Sequence, residues 1–136
     1  MEKFNLESDI PVFCVKAVSF PAGIMEAHQK LNALVPMASG RRYFGISRPD
    51  RTGVITYKAA AEELLAGEAK QYKCESFTIL KGSYSCTTIK DYLRDPQSIS
   101  KAFSELLKNP ELDPNGYCLE WYLDEKDVKC MVKLKS

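Results

Sequence analysis

One arrangement occurs twice in this chain, and it constrains the fold more than any other feature. RRYFGISRPDRTGVITYKAAA, from Arg41 to Ala61, lays over GYCLEWYLDEKDVKCMVKLK, from Gly116 to Lys135, in order, length and pattern. Each is a strand, a polar turn and a partner strand. Each follows a strand, a helix and a Pro/Gly break. In the first half IPVFCVKAVSF, 10–20, is rich in Val, Phe and Ile and reads as a strand. Ile24, Ala27, Leu31 and Leu34 then recur at helical spacing until Pro36 and Gly40. In the second half SFTILKGSYSCTT, 76–88, reads as a strand interrupted at Lys81-Gly82. Ile99, Ala102, Phe103, Leu106 and Leu107 mark a helix entered at Asp95-Pro96 and ended at Asn109-Pro110. EELLAGEAKQ between the halves predicts a polar connection with a helical turn.

The period, roughly 65–70 residues, exceeds that of solenoid repeats. Two copies predict one α+β domain over 1–136. It contains two pseudo-symmetric β-α-β-β modules, 10–65 and 72–136. An antiparallel sheet carries helices on one side, and a cleft lies at the pseudo-twofold.

Composition narrows the function. The chain has 136 residues, 45% hydrophobic and 27% charged, ordinary values for a globular domain. Nineteen Lys and Arg against 18 Asp and Glu leave a formal charge of +1. That balance gives no electrostatic footprint for nucleic acid or an anionic membrane. No stretch approaches the ~20 apolar residues of a membrane span. MEKFNLESDIPVF lacks the apolar run of a signal peptide. Five cysteines, an odd number with no C-x-x-C, predict reduced thiols in a cytoplasmic protein, with no disulfide framework, metal or cofactor.

Glu120 stands out, a carboxylate between Leu119 and Trp121 within a strand. Side chains alternate across a strand. Tyr117, Leu119, Trp121 and Leu123 therefore share one face, and Cys118, Glu120 and Tyr122 the other. The more apolar set is expected against the helix over 99–107, the second set on the face the helices leave open. The overlay makes Phe44 and Ile46 the counterparts of Cys118 and Glu120. The partner strands then offer either Ile55, Tyr57 and Ala59 or Val54 and Thr56 in the first half, and either Met131 with Lys129 or Cys130 with Val132 in the second, because a one-residue slip swaps faces. The competing expectation is an exposed glutamate paired across the strands with Lys129 or Lys133. His28, in a helix beside Glu26 and Lys30, reads as solvated.

YFGISRPDRTGVITYKAAAE at 43–62, ILKGSYSCTTIKD at 79–91 and GYCLEWYL at 116–123 together resemble the gyrase-inhibitor-like (GyrI-like) small-molecule-binding domains. These include effector-binding domains of bacterial multidrug-responsive transcription regulators and many stand-alone proteins. The resemblance covers nearly the whole chain. No single motif is specific; their order and spacing are. It implies lipophilic, often aromatic and cationic, ligands stacked on aromatics against a cleft glutamate. Glu120 sits at the matching position, with Tyr122 two residues on; together with the reading of the strand faces this makes Glu120, Tyr122, Tyr84, Phe44, Ile46, Tyr57, Cys118 and Met131 the candidate ligand contacts.

No helix-turn-helix segment precedes the first strand, so a regulator role would need a partner chain. Some stand-alone relatives hydrolyse cyclopropane-containing compounds, which makes Glu120 the candidate catalytic acid or base of an alternative hydrolase reading. A third reading is a protein-interaction module that contacts gyrase or a regulator through its outer surface. The expected state is a monomer or homodimer.

Overall fold

A computed structural model describes residues 2–36, 40–49 and 52–135. Eight strands and three helices follow in the order β1 (Glu2–Leu6), β2 (Ile10–Lys16), α1 (Ile24–Leu34), β3 (Tyr43–Pro49), β4 (Ile55–Glu62), α2 (Glu68–Gln71), β5 (Glu75–Ile79), β6 (Gly82–Ile89), α3 (Ser98–Leu106), β7 (Cys118–Tyr122) and β8 (Val128–Lys133). A short 3-10 turn, Tyr92–Arg94, precedes α3. None of these helices is long and apolar enough to cross a membrane.

All strands pair antiparallel in one sheet, ordered β1-β6-β8-β7-β3-β4-β2-β5. Exchanging the two halves of the chain reverses this order onto itself, so the fold is two β-α-β-β modules joined at the β3–β7 pair. Each module also sends a leading strand to the far edge of the other: β1 beside β6, and β5 beside β2. The interruption expected at Lys81-Gly82 is the point where the chain leaves one edge for the other. Gly82, at φ +131°, permits that reversal.

Seating the pseudo-twofold on the cross-strand pair Gly45–Glu120 superposes like on like. Following the registers outward sets Lys58 on Lys129, Cys14 on Cys86 and Phe77 on Phe4. Ile46 falls on Trp121 and Phe44 on Leu119. The true correspondence is thus one residue away from the sequence overlay, which had set Ile46 on Glu120.

All eight strands contribute to or pack against one apolar cluster on the helix-free face, including Val12, Phe44, Ile46, Ile79, Tyr84, Leu119 and Met131, with Phe4, Phe77 and Trp121 packed against it. A flat sheet could not bring both edges to one cluster; this one curls into a half-barrel around it. The other face carries the helices. Ala27 and Leu31 of α1 pack on Phe13, Tyr43, Tyr57, Ala59 and Ala61. Leu106 of α3, with Ile99, Ala102 and Phe103, packs on Val128, Cys130 and Val132. The small Ala59 and Ala61 let α1 approach closely.

This corrects the expected facing of β7. Leu119 and Trp121 belong to the helix-free interior, whereas Cys118 and Tyr122 pack with α3. Leu123 lies beyond the strand and is exposed. The curl encloses the middle of the helix-free face, and the bulky apolar set fills it. The helices do not meet over the middle of the sheet. α1 sits on β2 and β4, α3 on β6 and β8. β3 and β7 lie between them, and Glu120 with them.

Candidate functional site: a carboxylate on the pseudo-twofold

Glu120 projects from β7 into the gap between α1 and α3. Its Oε1 accepts two short hydrogen bonds, from the Tyr57 hydroxyl of β4 and the Tyr122 hydroxyl two residues on, both at 2.6 Å. The two hydroxyls lie 3.4 Å apart. Tyr57 Oη is also 2.7 Å from His28 Nε2 on α1. Tyr57 has one proton, which Glu120 receives, so the imidazole donates to Tyr57 through Nε2. No hydrogen bond reaches Oε2. It is also absent from the orphaned buried polar atoms, of which the described residues have none, so it keeps contact with solvent.

Aromatic rings wall the carboxylate. His28 meets Tyr57 and Tyr122 edge-on, at 5.7 and 5.2 Å between centroids. Phe20 stacks on Tyr57 at 6.1 Å, and Tyr92 tilts against Tyr122 at 5.9 Å. Cys118 and Cys130 complete the floor on the same face.

Burial pushes the Glu120 carboxyl above the usual range, and the two tyrosine hydroxyls pull partly back. Burial drives His28 down to about 4, so it is neutral at pH 7 and brings no charge to the carboxylate. Burial, then the neighbouring carboxylate, raises both Tyr57 and Tyr122. Burial lifts Cys118 to about 11 and Cys130 to about 12, which leaves both as inert thiols. No salt bridge among the described residues involves Glu120. Lys129 instead lies over Phe4 and Trp121, and Lys133 donates to the Leu134 carbonyl at 2.7 Å. Neither pairs with Glu120 across the strands as the competing expectation had it.

The site depends on a residue with no side chain. A Cβ on Gly45 would collide with Tyr57 Oη and Glu120 Oε1, and would lie 2.8 Å from Tyr57 Cζ. The side chains of Tyr57 and Glu120 meet over Gly45 because nothing stands there.

Of the residues named from sequence, Glu120, Tyr122, Tyr57 and Cys118 come together here. Phe44, Ile46, Tyr84 and Met131 do not. They lie in the helix-free core on the other side of the sheet. Phe44 faces Trp121, Ile46 faces Leu119, and Met131 faces Leu119 from β8. Tyr84 is fully buried there, with its hydroxyl 2.7 Å from that of Tyr117 and bonded to the Leu80 carbonyl at 2.5 Å. The site adds His28, Gly45 and Phe20, which sequence reasoning did not select. For His28 a signal existed: it falls on the α1 stripe, four residues after Ile24 and three before Leu31.

Fold and site together define a two-module α+β half-barrel with one carboxylate at the junction of its modules. Solved structures share this architecture along the full chain. One is SAV2435 bound to tetraphenylphosphonium, with a TM-score of 0.74, 11% identity, and coverage of 100% of this chain and 95% of that one. A protein assigned to bacterial transcription regulation from Staphylococcus aureus MU50 gives a TM-score of 0.69 at 11% identity, covering 99% and 97%. A hydrolase from Listeria innocua gives 0.61 at 9% identity, covering 98% and 90%. At such identities the likeness is one of fold. No protein-family model matches the chain, and no curated protein matches it by sequence.

Proposed function

We propose that this chain is a GyrI-like small-molecule-binding protein that takes lipophilic aromatic cations at Glu120. One observation carries the reading: a half-buried carboxylate, walled by aromatic rings, has two neutral hydroxyls and, among the described residues, no cation beside it. A buried ionised carboxylate without a countercharge is costly. A cationic ligand supplies that charge at the free Oε2. Its positive charge also gains roughly 0.5–2 kcal/mol against each tyrosine face it meets. The tetraphenylphosphonium held by SAV2435, on the same fold, is a cation of this class. Apolar walls discriminate size weakly, so the selectivity expected is broad.

The test is calorimetric titration with tetraphenylphosphonium and with neutral triphenylphosphine oxide. Glu120→Gln should weaken the cation by about 2–5 kcal/mol, at least roughly thirtyfold, and leave the neutral compound nearly unchanged. Equal loss for both compounds would remove charge pairing from the account.

The raised pKa of Glu120 makes two further predictions. Cation affinity should fall as pH drops through a value above the ordinary glutamate 4.5, and the Gln variant should show no such fall. Stability should run the other way. A carboxyl whose folded value is raised contributes its stability below its unfolded value and loses it as pH rises through the folded one. Glu120→Gln should therefore melt higher than the parent at pH 8, with the gain fading near pH 4. A variant that melts lower at pH 8 would show that the carboxylate is not under strain.

A second reading rests on the hydrogen-bonded chain Glu120–Tyr57–His28. A carboxyl of raised pKa, backed by a neutral imidazole, can hold a proton and pass it to a strained electrophile. Catalysed hydrolysis of a cyclopropane-type substrate, lost in Glu120→Gln with the fold intact, would select this reading. Product formed equally fast by the variant would exclude it.

A further inference from the structure

The half-barrel has a chamber on the opposite side of the sheet from Glu120. It is a cavity of about 690 Å³ at one end of the helix-free face. Ile46, Arg48 and Pro49 of β3, Thr56 and Lys58 of β4, Phe77 of β5, and the 114–116 turn line it. Its volume falls in the range of small-molecule sites.

The pseudo-symmetry explains why it is open. At the other end of the same face, Trp121 meets the Phe4 ring at 6.1 Å, and the Lys129 ammonium lies over both rings at 4.4 and 5.5 Å. The registers place Phe77 on Phe4, Lys58 on Lys129 and Ile46 on Trp121. Phe77 and Lys58 repeat the ring and the ammonium, at 5.8 Å. Where one module carries an indole, the other carries an isoleucine, and the chamber lies beside it.

Its charge is the reverse of the Glu120 site. Among the described residues no Asp or Glu lines it, and two cations do. Lys58 has one acidic partner, Glu75 at 3.3 Å. Arg48 is exposed, with no ion pair or hydrogen bond of its side chain among the described residues. Thr56 and Asn115 add neutral hydrogen-bonding groups, and the ring of Phe77, held edge-on by Tyr117 at 5.4 Å, adds an aromatic wall. We infer that this chamber is a second ligand site, for a flat aromatic anion carrying a carboxylate or sulfonate. The ring would lie against Phe77 and Ile46, in the volume that Trp121 fills in the other module. The anionic group would reach Arg48 and Lys58, whose charge-assisted hydrogen bonds hold it.

The probe is 2-naphthalenesulfonate, titrated by calorimetry and followed through the amide signals of Thr56 and Asn115. The parent protein should bind it and move both signals. Arg48→Ser with Lys58→Met should weaken binding at least about tenfold, as loss of two charge-assisted contacts would. Ile46→Trp, which rebuilds the arrangement of the other module, should compete for the volume and weaken binding to a similar extent. Glu120→Gln should leave the anion within about twofold while weakening tetraphenylphosphonium at least roughly thirtyfold, so the two sites fail independently. The inference is overturned if the parent does not bind at millimolar probe. It is equally overturned if the double variant binds unchanged, or if Glu120→Gln removes the anion.

Discussion

Substituting alanine for Gly45 is expected to unfold the site and much of the protein's stability with it. The added methyl has no free volume, since Tyr57 Oη and Glu120 Oε1 occupy the place it needs. Neither is the loose end of a flexible surface chain. Tyr57 is fully buried between α1 and the sheet, and Glu120 is fixed by two hydroxyls. Overpacking costs typically ~1–3 kcal/mol, and each hydrogen bond broken as the pair separates about 0.5–1.5 more. A loss of roughly 3 kcal/mol in chemical denaturation is expected, with tetraphenylphosphonium binding lost as well. A Gly45→Ala protein that melts and binds like the parent would show that Tyr57 and Glu120 do not need to meet over this position.

The second large effect lies outside the site. Arg41 and Glu68 form a bidentate pair at 3.1 Å for both contacts, with side chains only 9% and 6% exposed. Glu68 Oε1 also receives the backbone N–H groups of Leu64 and Leu65, and Arg41 donates to the Glu62 carbonyl. The pair thus ties the turn after β4 to the entry of β3. Removing one partner leaves a buried charge without its counterion, which costs about 3–5 kcal/mol. Arg41→Met should destabilise by that amount, whereas an exposed pair such as Lys30–Glu26, both more than half exposed, should give less than about 1 kcal/mol. The hydrogen bonds from Arg41, followed by the backbone donors, hold Glu68 down to about 2. Its stabilisation is present above the ordinary glutamate value and is lost as pH falls toward 2. The parent should therefore lose stability between pH 4.5 and 2 more steeply than a Glu68→Gln variant. Parallel acid profiles would contradict this.

The sequence carried the periodicities well and the registers poorly. Helical spacing from Ile24 to Leu34 matches α1 residue for residue, because α1 buries a stripe that the spacing itself displays. Alternation in GYCLEWYL grouped Cys118, Glu120 and Tyr122 correctly. Which face that group took depended on where the sheet curls, and curl is a property of all eight strands. The overlay of the two halves slipped by a single residue, enough to set Ile46 in the place of Gly45 and to draw Phe44 and Ile46 toward Glu120, and the open register of the closing hairpin left Met131 as a choice beside Cys130. MEKFNLES gave no sign of joining the far edge of the sheet as β1, since an edge strand need be apolar only at Phe4 and Leu6. His28 was hidden by its polar neighbours Glu26 and Lys30, although its position on the stripe was readable.

Seating the symmetry axis on Gly45 and Glu120 has a consequence for how such a protein can arise. A dimer of two identical modules would bring the same residue to both sides of the axis. Two glutamates could not fit there, and two glycines would bring no charge. A single carboxylate at that point requires the two halves to differ in sequence at this one pair. Joining the copies in one chain supplies that freedom, because each half can then change alone. In this chain the two halves differ at the axis, glycine on one strand and glutamate on the other, and that difference is what lets a single carboxylate stand there.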